Sequence, residues 1–299
     1  MPEERSPRLA QSSIERYIGV VSRPFLKMNG LGNDFVVVEA RSAPFAPTVA
    51  EARALADRTN GIGCDQIIAI EPSLGGDAFM RIWNADGGEV AACGNGARCV
   101  GWLLMRASGK DEARIETAER ILEVRRAGEN AVTVDMGAPG LDWREIPLSE
   151  AMDTRGIELQ VGPIDAPVLH TPGCVSFGNP HVVFFVPNAE AAPVAQVGSM
   201  IEHHSLFPDR ANVGFAQVRS GDNIRLRVWE RGVGVTSACG TAACAAAVAA
   251  HRRGLTRRAV TVELDGGELE VEWRADGHVL MTGSVALEFA GRLPDGVRA

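Results

Sequence analysis

Apolar and polar positions along this chain fall into short runs of two kinds. Residues 35–40 (FVVVEA), 66–72 (QIIAIEP), 80–84 (MRIWN), 113–118 (ARIETA), 121–126 (ILEVRR) and 131–137 (AVTVDMG) are rich in β-branched residues and separated by Gly-containing turns. That is the pattern of short strands. One segment differs: from Gly94 to about Ala107 the apolar residues Val100, Leu103 and Leu104 follow helical spacing, and Arg106 with Gly109 supplies an end. A Pro-containing stretch from 138 to 172 then reads as a boundary.

Beyond that boundary the pattern returns. At a shift of 146 residues, without gaps, Gly32-Asn33 falls on Gly178-Asn179, Gln66 on Asn212, Arg81 to Asn84 on Arg227 to Glu230, and Cys93-Gly94 on Cys239-Gly240. With one inserted residue, Ile121 to Val124 continue onto Glu268 to Val271. A period this long means two copies of a whole domain rather than a solenoid. The expected fold is α/β (α+β), with two pseudo-symmetric domains that each wrap a strand-rich sheet or barrel on one central helix. Their expected limits are 1–141 and 142–283, with the site between them. Whether residues 284–299 return to the first domain is left open. Residues 1–22 hold three Glu and three Arg and no apolar stretch, so they read as a flexible or helical extension rather than a secretory signal.

Composition narrows the function. The chain is 45% apolar, and no apolar run reaches 18 residues, which argues against a membrane protein. A net charge of -8 argues against nucleic acid as a partner. Of 30 basic residues only Lys27 and Lys110 are lysines, so a cofactor held as a Schiff base has two anchors to choose from. Six cysteines without a C-x-x-C pair suggest reduced thiols in the cytoplasm.

Two of those cysteines invite chemistry. Each copy reads strand, Gly-rich loop, Ala-Cys-Gly, helix, which places Cys93 and Cys239 at helix N-termini. Unpaired N–H groups and the helix dipole are expected there to lower a thiol pKa toward a thiolate at neutral pH. Cys99, Cys174 and Cys244 keep the ordinary reading of small buried hydrophobes. Metal binding is disfavoured because C-x5-C and C-x4-C put the second cysteine inside each helix, with no His at zinc spacing. Thiol redox chemistry lacks its usual motif. Two equivalent thiols facing one ligand suit proton exchange at a tetrahedral carbon. One removes a proton, the other delivers one to the opposite face, and the helix N-termini bind a carboxylate. This scheme calls for no cofactor and no metal.

From Phe25 to Gly283 the motifs GNDF (32–35), NADGGEVAACGNGAR (84–98), GNPH (178–181), ANVGF (211–215) and ERGVGVTSACGT (230–241) resemble those of the diaminopimelate epimerase family. The resemblance implies a cofactor-independent isomerase of lysine biosynthesis that interconverts LL- and meso-diaminopimelate, with Cys93 and Cys239 as thiolate base and thiol acid. It implies that Gly94, Asn95, Gly240 and Thr241 form carboxylate-binding loops. Asn33, Gln66, Asn84, Asn179, Asn212, Glu230 and Arg231 would hold the substrate's amino and carboxylate groups. His181 is either an assistant to a thiol or a hydrogen-bonded structural histidine. The repeat breaks where Asn84-Ala85 becomes Glu230-Arg231, which suits a ligand with an extra ammonium and carboxylate on one side. Ala242 and Val235 stand where many members have Gly and Glu. A proline racemase or hydroxyproline epimerase is the alternative on a smaller substrate. A non-catalytic amino-acid-binding relative is the alternative of another class, against which both thiols stand. A homodimer is left open.

Overall fold

The computed structural model describes residues 23–91, 93–294 and 297. The extension at 1–22 lies outside the described residues.

The β-branched runs form strands, and the two copies share their register. Asn33–Glu39 pairs in parallel with Gln66–Glu71, which runs antiparallel to Ala78–Asn84 with Ile67 opposite Trp83. In the second copy Pro180–Phe185 pairs in parallel with Asn212–Ser220, which runs antiparallel to Asn223–Glu230 with Val213 opposite Trp229. These opposed pairs are themselves 146 residues apart. Each half then takes a parallel step, to Glu112–Glu116 or to Ala259–Leu264, and closes with two antiparallel strands.

The halves join edge to edge. Ala131–Asp135 pairs antiparallel with Val279–Ser284, and the hydroxyls of Thr133 and Thr282 meet across that seam at 2.7 Å. The last strand, Ala286–Arg292, pairs with Pro24–Gly30 in the first half, where Phe289 meets Phe25 edge to face at 5.9 Å.

Four helices are present among the described residues: α1 (Val49–Ala56), α2 (Gly94–Ser108), α3 (Val194–Glu202) and α4 (Gly240–Arg252). The expected single long helix per half is found as α2 and α4, and α1 and α3 add a short helix to each copy. Thr48 caps α1 in a reciprocal box with Glu51, a signal present in the sequence as T-x-x-E. The long helices α2 and α4 are the central ones. Strands of each half pack around them, so Trp102, Leu104 and Met105 of α2 and the alanines of α4 are buried. The interior of α4 is made of small apolar residues, and that Ala run lets strands close tightly on it. Gly109, left-handed at φ 72°, stops α2. One apolar cluster runs through both halves, from Met28 to Val285. No described helix is long and apolar enough to cross a membrane.

Candidate active site

Two equivalent turns build the rim of a cleft between the halves. Gly32 and Gly178 take left-handed φ values of 77° and 90°, which only glycine adopts at little cost, and each presents the following Asn. Each turn also rests on the other half. A Cβ at Gly32 would lie 3.2 Å from Gly266 Cα, and one at Gly178 would lie 3.2 Å from Glu119 Oε2. Glu119 and Gly266 occupy corresponding hairpins of the two copies, so the contact is reciprocal.

The cleft encloses about 900 Å³. Cys93 and Cys239 both line it, as the extended N-cap residues of α2 and α4. Cys93 Sγ accepts from the Gly96 N–H at 3.4 Å and approaches Asn33 Oδ1 at 3.9 Å. Cys239 Sγ lies 3.5 Å from Thr241 Oγ1. The helix entrances come close together: a Cβ at Gly94 would stand 3.0 Å from Met281 Cε, and one at Gly240 2.8 Å from Met281 Sδ and 3.3 Å from Asn95 Oδ1. A side chain at either position would have to displace Met281, which packs on both first turns.

All eleven residues expected to bind substrate line this same cleft: Asn33, Gln66, Asn84, Gly94, Asn95, Asn179, Asn212, Glu230, Arg231, Gly240 and Thr241. The polar ones are oriented by neighbours. Asn33 Nδ2 donates to Asp65 Oδ2 at 2.9 Å, and Arg58 ties Asp65 and Asp34 together at 2.8 and 2.7 Å. Gln66 Nε2 donates to Asn84 Oδ1 at 2.9 Å, while its buried Oε1 has no partner among the described residues. Asn212 Oδ1 accepts the Arg231 N–H at 2.9 Å, and the Arg231 guanidinium donates to the Asp209 carbonyl. Thr236 Oγ1 donates to Glu230 Oε1 at 2.5 Å.

His181 is not among the lining residues. It is 1% exposed, and its Nε2 lies 3.0 Å from Asn179 Oδ1. Burial, reinforced by the charge of Arg231, pushes its pKa down to about 3, so the ring stays neutral. Arg58, Asp65, Glu119 and Arg120 do line the cleft, although the sequence reading passed over them.

The state of the thiols corrects one expectation. Burial pushes Cys93 up to about 11, outweighing the Gly96 N–H that pulls it down, and the charge of Glu230 adds to the rise. Cys239 is raised as well, first by burial and then by Glu230 beside it. Glu230 is itself raised by burial, against hydrogen bonds from Thr236 and Cys239. A helix N-terminus favours thiolate, but here desolvation outweighs it and favours the protonated thiol at both positions.

The diaminopimelate epimerase family model matches residues 25–141 and again residues 173–288. Over 274 residues the chain is 66% identical to the diaminopimelate epimerase of Phenylobacterium zucineum, covering 92% of this chain and 99% of the relative. It is 57% identical over 288 residues to that of Caulobacter vibrioides, covering 93% and 100%. Among solved structures, a hydroxyproline epimerase from Agrobacterium vitis with trans-4-hydroxy-L-proline bound matches with a TM-score of 0.65 at 16% identity, covering 92% of this chain and 93% of that one. A phenazine biosynthesis protein from Bacillus anthracis matches with a TM-score of 0.63 at 15% identity, covering 91% and 99%. These last two share the fold.

Proposed function

The chain belongs to the diaminopimelate epimerase family, and from that premise we propose how its cleft interconverts LL- and meso-diaminopimelate, an isomerisation in lysine biosynthesis. The observation that carries the reading is the pair of thiols, Cys93 and Cys239, at equivalent helix entrances on one cleft.

The substrate's α-carboxylate takes the free N–H groups at the starts of α2 and α4, around Gly94, Asn95, Gly240 and Thr241. This places Cα between the two sulfurs. The thiolate on one side takes the α-proton, the electron pair spreads into the carboxylate held by those N–H groups, and the opposite thiol gives its proton to the other face. Each positioned acid or base supplies roughly 10²–10⁴ in rate, and stabilisation of the carboxylate's growing charge supplies more. No cofactor enters this scheme.

A thiolate must first form from thiols that burial keeps protonated. The substrate brings the means, since its α-ammonium arrives beside them and an adjacent cation favours the charged form of a thiol. Glu230, bonded to Cys239, is placed to take up the proton that leaves. Arg231 serves the distal carboxylate that proline-type substrates lack, which favours diaminopimelate over the smaller ligands. The first domain is taken as 1–141, with the strand Ala286–Arg292 returning to it, and the second as 142–283. A reducing cytoplasm is the compartment that suits a reaction needing both thiols free.

Purified protein supplied with LL-diaminopimelate should give the meso form, read by chiral chromatography. Turnover of proline or hydroxyproline with none of diaminopimelate would overturn the assignment.

A further inference from the structure

Behind the two helix entrances the halves differ sharply at one position. Arg98 of α2 corresponds, at the 146-residue shift, to Cys244 of α4. Its side chain is fully buried, and among the described residues no carboxylate pairs with it. Nη1 donates to Asn95 Oδ1 at 3.0 Å and approaches Met281 Sδ at 3.8 Å, while Nε and Nη2 have no hydrogen-bond partner among the described residues. The guanidinium packs against the seam strand, where a Cβ at Gly283 would come within 3.1 Å of its Cζ and Nε. Burying an ion without a counter-charge is strongly unfavourable, and a well-packed apolar side chain would stabilise the same space better. Packing alone does not account for an arginine here.

Asn95 connects this charge to the cleft. It lines the cleft beside Cys93, and its Oδ1 sits close to Gly240 of the other entrance. A guanidinium can only donate, so Arg98 fixes which end of the carboxamide faces it and leaves the Nδ2 donor for the cleft. The second copy has no such device, since Thr241 and Cys244 stand in place of Asn95 and Arg98.

We propose that Arg98 is a positioning residue for the reaction: it sets the Asn95 carboxamide between the two helix entrances and keeps an unshared positive charge behind them that favours anions at the cleft floor. The anions are the substrate carboxylate and the Cys93 thiolate. The groups facing Cys93 act in both senses: Arg98 and the Gly96 and Asn95 N–H groups favour the thiolate, whereas burial and Glu230 from the other half oppose it. Cys99 and Cys244 also feel Arg98, but burial holds each at about 12 and they remain thiols. The proposal rests on the two-thiol reading of the cleft.

The test uses Arg98→Met, Arg98→Gln and Arg98→Lys in the full chain, with three readouts. The pH profile of Cys93 alkylation by iodoacetamide, mapped by peptide mass spectrometry, needs no substrate. For Met and Gln its midpoint should rise by about one pH unit, while Lys, which keeps the charge, should stay near the wild-type midpoint. With LL-diaminopimelate, kcat should fall about tenfold or more in the Met and Gln variants and KM should change less. Thermal stability should be unchanged or higher in the Met variant, because a buried charge has been removed. Gln decides the matter should Met not fold. An unmoved alkylation midpoint in the neutral variants, or an unchanged kcat, would overturn the proposal. Failure of the underlying reading is seen separately, as normal epimerisation by Cys93→Ala.

Discussion

Cys93 and Cys239 sit on the two sides of one cleft, and inversion needs a proton-transferring group on each. Replacing either by Ala should abolish interconversion of the LL and meso forms, read by chiral chromatography, while the untouched thiol keeps some capacity for hydrogen exchange at one stereoisomer. Racemising activity near wild type in either variant would remove that cysteine from the mechanism. Arg231 lies on the rim and currently bonds the Asp209 carbonyl, an interaction a distal carboxylate can replace. Arg231→Ala should therefore lower kcat/KM by about 1.5–3 kcal/mol of charge-assisted contact, mainly through KM. His181 acts on stability as well as on Asn179. Its pKa falls from the ordinary 6.5 to about 3 on burial. Between those values the unfolded chain binds the proton and the folded one does not. Its contribution is thus present above pH 6.5 and is lost as pH falls toward 3. Phe35 fills the equivalent place in the first half, so His181→Phe should fold and should lose less Tm than wild type between pH 7 and pH 5. Equal losses would show that His181 does not carry this dependence.

The helices divide into those that make the site and those that only support the halves. Thr48→Ala removes the capping box of α1 and should cost about 1 kcal/mol of stability with kcat/KM unchanged. Gly240→Ala places a methyl against Met281 and beside Asn95 at the start of α4, which should cost about 1–3 kcal/mol by overpacking and also impair turnover. Thermal melts and kinetics on the same two variants check this split. The long central helices, their cysteine starts and the strand runs were legible because each depends on local pattern repeated at a fixed shift. The short helix α1 was legible in principle, through T-x-x-E. Arg58 and Asp65 were not, because their counterparts are His204 and Ala211, so the repeat that singled out the paired amides is silent about them. The protonation of the thiols was not legible either. A helix start can be read from neighbouring residues, whereas the desolvation that outweighs it depends on how the folded chain packs around each sulfur.

At the scale of the molecule the two copies do more than face each other. The seam between Ala131–Asp135 and Val279–Ser284 joins their strands, and each glycine turn leans on a hairpin of the opposite half. The cleft is therefore a product of both copies, and its pseudo-symmetry supplies the matched thiols while its exceptions, Glu230, Arg231 and Arg98, supply the asymmetry. The central claim is that one thiol takes the proton and a different thiol returns one. The direct measurement is conversion of LL-diaminopimelate in deuterium oxide, followed by mass spectrometry of substrate and product at low conversion. Two facing thiols predict meso product carrying solvent deuterium at the inverted carbon while the remaining LL substrate stays protiated. Product that keeps the substrate's own hydrogen, or deuterium entering unconverted LL substrate as fast as product forms, would contradict the two-thiol account.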